Sequence, residues 1–97
     1  MRIIAQKALR EFWERHPDAE QSLKAWYYDA KQATWAHPQD IRQMYATASI
    51  VTNNRVVFNI RGNNYRLIAA INYDLGIIYI RFIATHREYD HIDATNI

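Results

Sequence analysis

The chain has 97 residues, no cysteine and a formal net charge of +2. A chain of this size holds one hydrophobic core and buries little more than ~60% of its unfolded surface, so 1–97 is expected to form one domain. The absence of cysteine excludes disulfides, thiolate catalysis and the common zinc–cysteine sites.

A hydrophobic share of 49%, with 13% aromatic residues, is the composition of a packed globule. The opening MRIIAQKALREFWERH has no apolar signal-peptide region. No apolar run approaches the ~20 residues of a membrane span. With the missing cysteines, this predicts a cytoplasmic protein without membrane association.

Met1 to Ile4 is β-branched and reads as a short first strand. From Gln6 to Arg15 the apolar residues Ala8, Leu9, Phe12 and Trp13 recur at helical spacing. His16-Pro17 ends that helix, because a residue before proline resists the α region. Asp18 is placed to cap a second helix, in which Ala19, Leu23, Trp26, Ala30 and Ala33 line one face. His37-Pro38 stops it, and Gln39 to Tyr45 holds one helical turn. Trp13, Trp26 and Trp35 are expected in packing, and His16 and His37 in structural turns.

The period then changes. Arg55 to Ile60 reads as a strand, Arg61-Gly62-Asn63-Asn64 as a turn, and Tyr65 to Tyr73 as a second strand. Asp74-Leu75-Gly76 turns again, and Ile77 to Ala84 is a third strand. Ser49 to Thr52 leads into the first of these. The expected fold is α+β: a short N-terminal strand, a two-helix hairpin, a three-stranded antiparallel meander, and a short C-terminal helical turn.

Charge is uneven along this layout. Between Ile41 and Tyr73 the charged residues are Arg42, Arg55, Arg61 and Arg66, with no Asp or Glu. Upstream, Glu11, Glu14, Asp18, Glu20, Asp29 and Asp40 are matched by Arg2, Lys7, Arg10, Arg15, Lys24 and Lys31. A locally basic window points to an anionic partner, and arginine's planar fork suits phosphate. Solvated surface charge would look the same. Strand parity puts Tyr65, Leu67, Ala69, Ile71 and Tyr73 on one face, and Arg66, Ile68, Ala70 and Asn72 on the other. In the preceding strand, Val57, Asn59 and Arg61 oppose Val56, Phe58 and Ile60. A sheet with one helix-covered face and one arginine-bearing face is a candidate platform for nucleic acid.

Thr85-His86-Arg87-Glu88-Tyr89-Asp90 follows the third strand. On a helical turn His86, Tyr89 and Asp90 share a face, which Asp93 would extend, while Arg87, Glu88 and His91 point elsewhere. These residue types match the needs of RNA cleavage. Histidine, at ~6.5, can move protons to or from ribose and leaving oxygens. Arginine supplies charge to the phosphate, tyrosine stacks or donates, and aspartate orients the histidine. RNA carries its own 2′-hydroxyl nucleophile, so this chemistry calls for no metal or cofactor. Three other readings stay open. An ordinary exposed histidine, a packing tyrosine and a capping aspartate would carry the same letters. A non-catalytic RNA-binding module would share the basic face. A metal-dependent nuclease could use His86 and Asp90 with His91 or Asp93, at a spacing that matches no strong motif.

The blocks Val57-Phe58-Asn59-Ile60-Arg61-Gly62-Asn63-Asn64-Tyr65-Arg66-Leu67, Ile78-Tyr79-Ile80-Arg81 and Thr85–Asp90 closely resemble the HigB family, a branch of the RelE-like toxins. The resemblance extends over essentially the whole chain. It implies a small α+β fold and an endoribonuclease that cuts messenger RNA in the ribosomal A site. It implies as partner a HigA antitoxin with a DNA-binding helix-turn-helix domain, through which the complex would reach operator DNA. Residue by residue, the resemblance implies a phosphate-facing role for Arg66 and functional roles for His86, Tyr89 and the acidic Asp90. Arg81 falls at a basic position, and Arg61, Arg55 and Asn59 are further candidates for RNA or phosphate contact. The meander has no lysine, so its cations are all arginines.

Overall fold

The computed structural model describes every residue, Met1–Ile97. Strand β1 (Arg2–Ile4) leads into helix α1 (Lys7–Arg15), whose 3.6-residue period turns Leu9 and Phe12 inward. His16, with φ −131 and ψ 76, has left the helical region ahead of Pro17. A 3-10 turn, Pro17–Ala19, connects to helix α2 (Glu20–Gln32), which buries Leu23, Trp26 and Ala30. Helix α3 (Pro38–Met44) buries Ile41. Four strands follow: β2 (Ser49–Val51), β3 (Arg55–Ile60), β4 (Tyr65–Asn72) and β5 (Ile77–Thr85). Helix α4 (His86–Tyr89) comes after β5.

The fold is α+β, as expected, with two additions. The segment leading into the meander is itself a strand, β2, paired antiparallel with β3. The sheet therefore has five strands in the order β1-β5-β4-β3-β2, with β1 parallel to β5. Asp18 is a correction. It sits inside the 3-10 turn, the N-cap position of α2 falls to Ala19, and no side chain caps that helix.

The helices cover one face of the sheet. Val56, Ala69 and Ile80 form one cross-strand row on that face, and Phe58, Leu67 and Ile83 form the next. Phe58 is the centre of the aromatic packing. Trp26 and Tyr45 meet it edge-on at 5.4 Å, and Trp35 stacks on it at 6.1 Å. Tyr65 and Tyr73 close the ends of this face, as parity requires.

Alternation in β5 is interrupted by a bulge. Ile68 pairs with Phe82 but Ala69 pairs with Ile80, so Arg81 has no partner on β4. The extra residue lets Ile78, Ile80 and Ile83 all reach the helix-covered core while Phe82 turns to the other side. On that other side Val57 and Ile68 pack with Phe82 under a cover of Tyr89, Ile92, Ala94 and Ile97. No helix is long and apolar enough to cross a membrane.

Candidate functional site

The site is built at the end of the sheet where the β3–β4 turn meets the start of α4. Arg66 leaves β4 on the face away from the helices, in a row with Asn59 on β3 and Ala84 on β5. The next element starts at a fixed place because Thr85 forms a capping box. Its hydroxyl accepts from the Glu88 N–H at 3.1 Å, and Glu88 Oε1 accepts from the Thr85 N–H at 2.9 Å. His86 is thereby the first helical residue, and its backbone N–H donates to the Asn64 carbonyl at 3.1 Å.

These constraints bring Arg66, His86 and Tyr89 together. Arg66 Nη1 donates to the Asn63 carbonyl at 2.8 Å and to the Tyr65 carbonyl at 3.3 Å. Arg66 Nη2 lies 3.0 Å from His86 Nδ1. The guanidinium carbon stands 5.7 Å from the centre of the Tyr89 ring. A guanidinium only donates, so His86 Nδ1 is the acceptor and the proton of the neutral imidazole lies on Nε2. Asn63, Asn64, Tyr65 and His86 line an open depression beside this cluster. The groove between α1 and α2, lined by Leu9, Trp13, Tyr27, Lys7 and Lys24, shares no residue with it.

Two neighbouring groups are perturbed. The Thr85 backbone hydrogen bond holds the Glu88 carboxyl below its ordinary value, helped by the Thr85 side chain and by the charges of His16 and Arg15, with desolvation opposing. Tyr65 is raised, first by its hydrogen bond to Asp18 and then by burial.

The remaining candidates do not converge here. Asn59 shares the row of Arg66, but its amide donates to the Thr47 carbonyl at 3.2 Å. Asp90 is exposed and makes no hydrogen bond or ion pair with His86, whose Nδ1 is already taken by Arg66. Asp93 accepts from the Thr95 N–H and the Asn96 amide, within its own segment. Arg61 is paired with Asp18 at 3.0 Å. Arg81, the bulge residue, donates through Nε to the Ile97 carbonyl at 3.0 Å. Arg55 lies two side-chain rows from Arg66, ~13 Å along the strands, and donates to the Asn53 carbonyl at 2.9 Å. The reason for the separation is the apolar row between them. Val57, Ile68 and Phe82 need cover, and the segment that supplies it stands between the arginines.

As for metal binding, the guanidinium at His86 Nδ1 opposes a divalent cation at that nitrogen. Three contributors were not read from the sequence as parts of the site: the carbonyls of Asn63 and Asn64, Glu88, and Asp18. Only Glu88 carried a local signal, because Thr85-x-x-Glu88 is the capping-box pattern. Asp18 lies 43 residues from Arg61 and 47 from Tyr65, and no local pattern reports such a contact.

The HigB_toxin family, described as the RelE-like toxic component of a toxin–antitoxin system, matches residues 19–92. The chain is similar to the mRNA interferase toxin HigB of Escherichia coli (strain K12), at 28% identity over 98 residues. The match covers 99% of this chain and 94% of the relative. The same figures hold for the mRNA interferase HigB of Shigella flexneri. For that of Escherichia coli O6:H1, identity is 27% over 94 residues, covering 95% and 91% of the two chains.

Proposed function

The chain belongs to the HigB family of RelE-like toxins, and from that premise we propose that it is a metal-independent mRNA interferase acting on messages in the ribosomal A site. Its neutralising partner is a HigA-type antitoxin with a helix-turn-helix domain, and its place of action is the cytoplasm. The observation that carries the reading is the Arg66 guanidinium held between the His86 ring nitrogen and the Tyr89 ring.

The reaction needs a cation at the scissile phosphate, a proton acceptor at the 2′-hydroxyl and a proton donor at the 5′-oxygen. The 2′-oxygen attacks phosphorus, the P–O5′ bond breaks, and a 2′,3′-cyclic phosphate and a free 5′-hydroxyl result. In the resting protein Arg66 occupies His86 Nδ1. A phosphate competes for that guanidinium with charge-assisted hydrogen bonds. Arg66 turning to the phosphate frees the imidazole for proton transfer and leaves the cation where charge develops. Tyr89 positions a base or phosphate. Asp90, without a contact to His86, contributes from the substrate side at the 2′-hydroxyl.

The test is primer extension on a translated message after induction of the parent and of folded His86→Ala and Arg66→Ala variants. The reading expects discrete cuts and growth arrest for the parent, and both lost or strongly reduced in the variants. Parent-like cleavage by either variant would overturn the assigned roles. Salt-sensitive RNA binding without cuts would replace the reading with a non-catalytic RNA-binding module. Cleavage of ribosome-free RNA that chelator abolishes would replace it with a metal-dependent nuclease.

A further inference from the structure

We infer that Asp18, which lies in the connection between α1 and α2, is a positioning residue for the Arg66–His86 pair. It anchors, from the helix-covered side of the sheet, the turn whose carbonyl groups hold both residues. This rests on the function proposed above.

The turn Arg61–Asn64 cannot hold its own shape easily. Arg61 has φ +52 and Gly62 φ +62. Glycine accepts that conformation freely, whereas an L-residue with a side chain resists it. Within the turn the one backbone hydrogen bond runs from the Asn64 N–H to the Arg61 carbonyl, at 3.2 Å. Asp18 supplies what is missing. One of its carboxylate oxygens accepts from Arg61 Nη1 at 3.0 Å, and the other accepts from the Tyr65 hydroxyl at 2.5 Å. Arg61 opens the turn and Tyr65 directly follows it, so a single carboxylate clamps both ends. The Tyr65 ring is fixed in turn by Phe12, edge-on at 5.2 Å, and by His16 at 5.4 Å.

The turn passes this constraint on through its carbonyl groups. The Asn63 and Tyr65 carbonyls accept from Arg66 Nη1, and the Asn64 carbonyl accepts from the His86 N–H. Those bonds set the separation of Arg66 Nη2 and His86 Nδ1. Arg61 is thus held by a carboxylate on the helix side and serves the turn instead of the phosphate.

The experiment compares the parent with Asp18→Ala, Asp18→Glu and the double variant Asp18→Ala/Arg66→Ala, each shown by circular dichroism and melting to be folded. Two quantities are read: the rate of cleavage of a translated message, and the ring-nitrogen NMR shifts of His86. Asp18→Ala is expected to cleave ~10- to 100-fold more slowly, the scale of a small misplacement of reacting groups. It should also shift the His86 Nδ1 resonance away from the parent's, as the Arg66 hydrogen bond at that nitrogen loosens. Asp18→Glu should recover part of both. The double variant should be no slower than Arg66→Ala alone. A parent-like His86 Nδ1 shift in folded Asp18→Ala, or losses that simply multiply in the double variant, would overturn the inference. If Asp18→Ala does not fold, Tyr65→Phe and Arg61→Ala each remove one arm of the clamp and carry the same readings. A parent chain that cleaves nothing would overturn the proposed function alone, because the ring-nitrogen spectrum still decides whether Asp18 orders the pair.

Discussion

Arg66 is the residue on which the site depends. It touches two carbonyls, a histidine and an aromatic ring at once. A lysine would keep the charge but has no planar fork to reach Asn63, Tyr65 and His86 together. Arg66→Lys is therefore expected to fold normally and to cleave translated message at least ~10-fold more slowly, and Arg66→Ala ~10²–10³-fold more slowly, the cost of removing a transition-state donor. Rates from primer extension at matched expression check this. Parent-like cleavage by the lysine variant would mean that charge alone suffices. Tyr89 offers a second comparison. Its ring face serves as the platform for Arg66, so Tyr89→Phe should disturb the Arg66–His86 contact less than Tyr89→Leu, as read from the His86 ring nitrogens. Equal spectra for the two would remove the ring's role in holding Arg66.

At the scale of elements, the one-turn helix α4 depends on its cap. So short a helix has no cooperative stability of its own. Thr85→Ala removes the capping hydroxyl and should cost about 1 kcal/mol in denaturant unfolding. Glu88 adds a pH dependence. Its carboxyl is held below the ordinary value of 4.5. The folded state thus binds this proton more weakly than the unfolded state. The stabilisation is complete above about 4.5 and is lost as pH falls through the lower folded value. Glu88→Gln should remove that dependence, so the stability gap between it and the parent should close on acidification through this range. A constant gap would show that the carboxylate's charge plays no part in the cap.

The whole molecule sets the conditions under which the site can exist. Phe58 packs against Trp26, Trp35 and Tyr45, and so joins α2, α3 and the sheet. Phe58→Ala should cost ~3–5 kcal/mol, the usual range for a large buried aromatic. Equilibrium unfolding would measure it, and a loss below ~1 kcal/mol would deny Phe58 that central place. The smaller apolar cluster behaves separately. Phe82 lies with Val57 and Ile68 under the C-terminal segment, which contributes Ile92, Ala94 and Ile97 to the cover. Phe82→Ala should increase amide exchange in residues 90–97 more than in the covered core.

Helix periods, the turn at Arg61–Asn64, the meander and the outward side of Arg66 were all legible in the chain. Each follows from local rules: spacing, proline, glycine and strand alternation. Thr85-x-x-Glu88 carries a capping pattern that the chemistry-bearing residues beside it obscure, and the structure shows it as a cap. What no local pattern contains is where distant residues meet. The bulge at Arg81 shifted the parity of β5, and the apolar row Val57–Ile68–Phe82 drew a cover over itself that keeps Arg55 from Arg66. The Asp18 carboxylate, which local reading placed at a helix start, went to Arg61 and Tyr65. The sequence by itself determined which residue types could move protons and bind phosphate. Only tertiary structure decided that Arg66, His86 and Tyr89 would stand together, because hydrogen-bond partners and buried faces are satisfied across the whole fold and not along the chain.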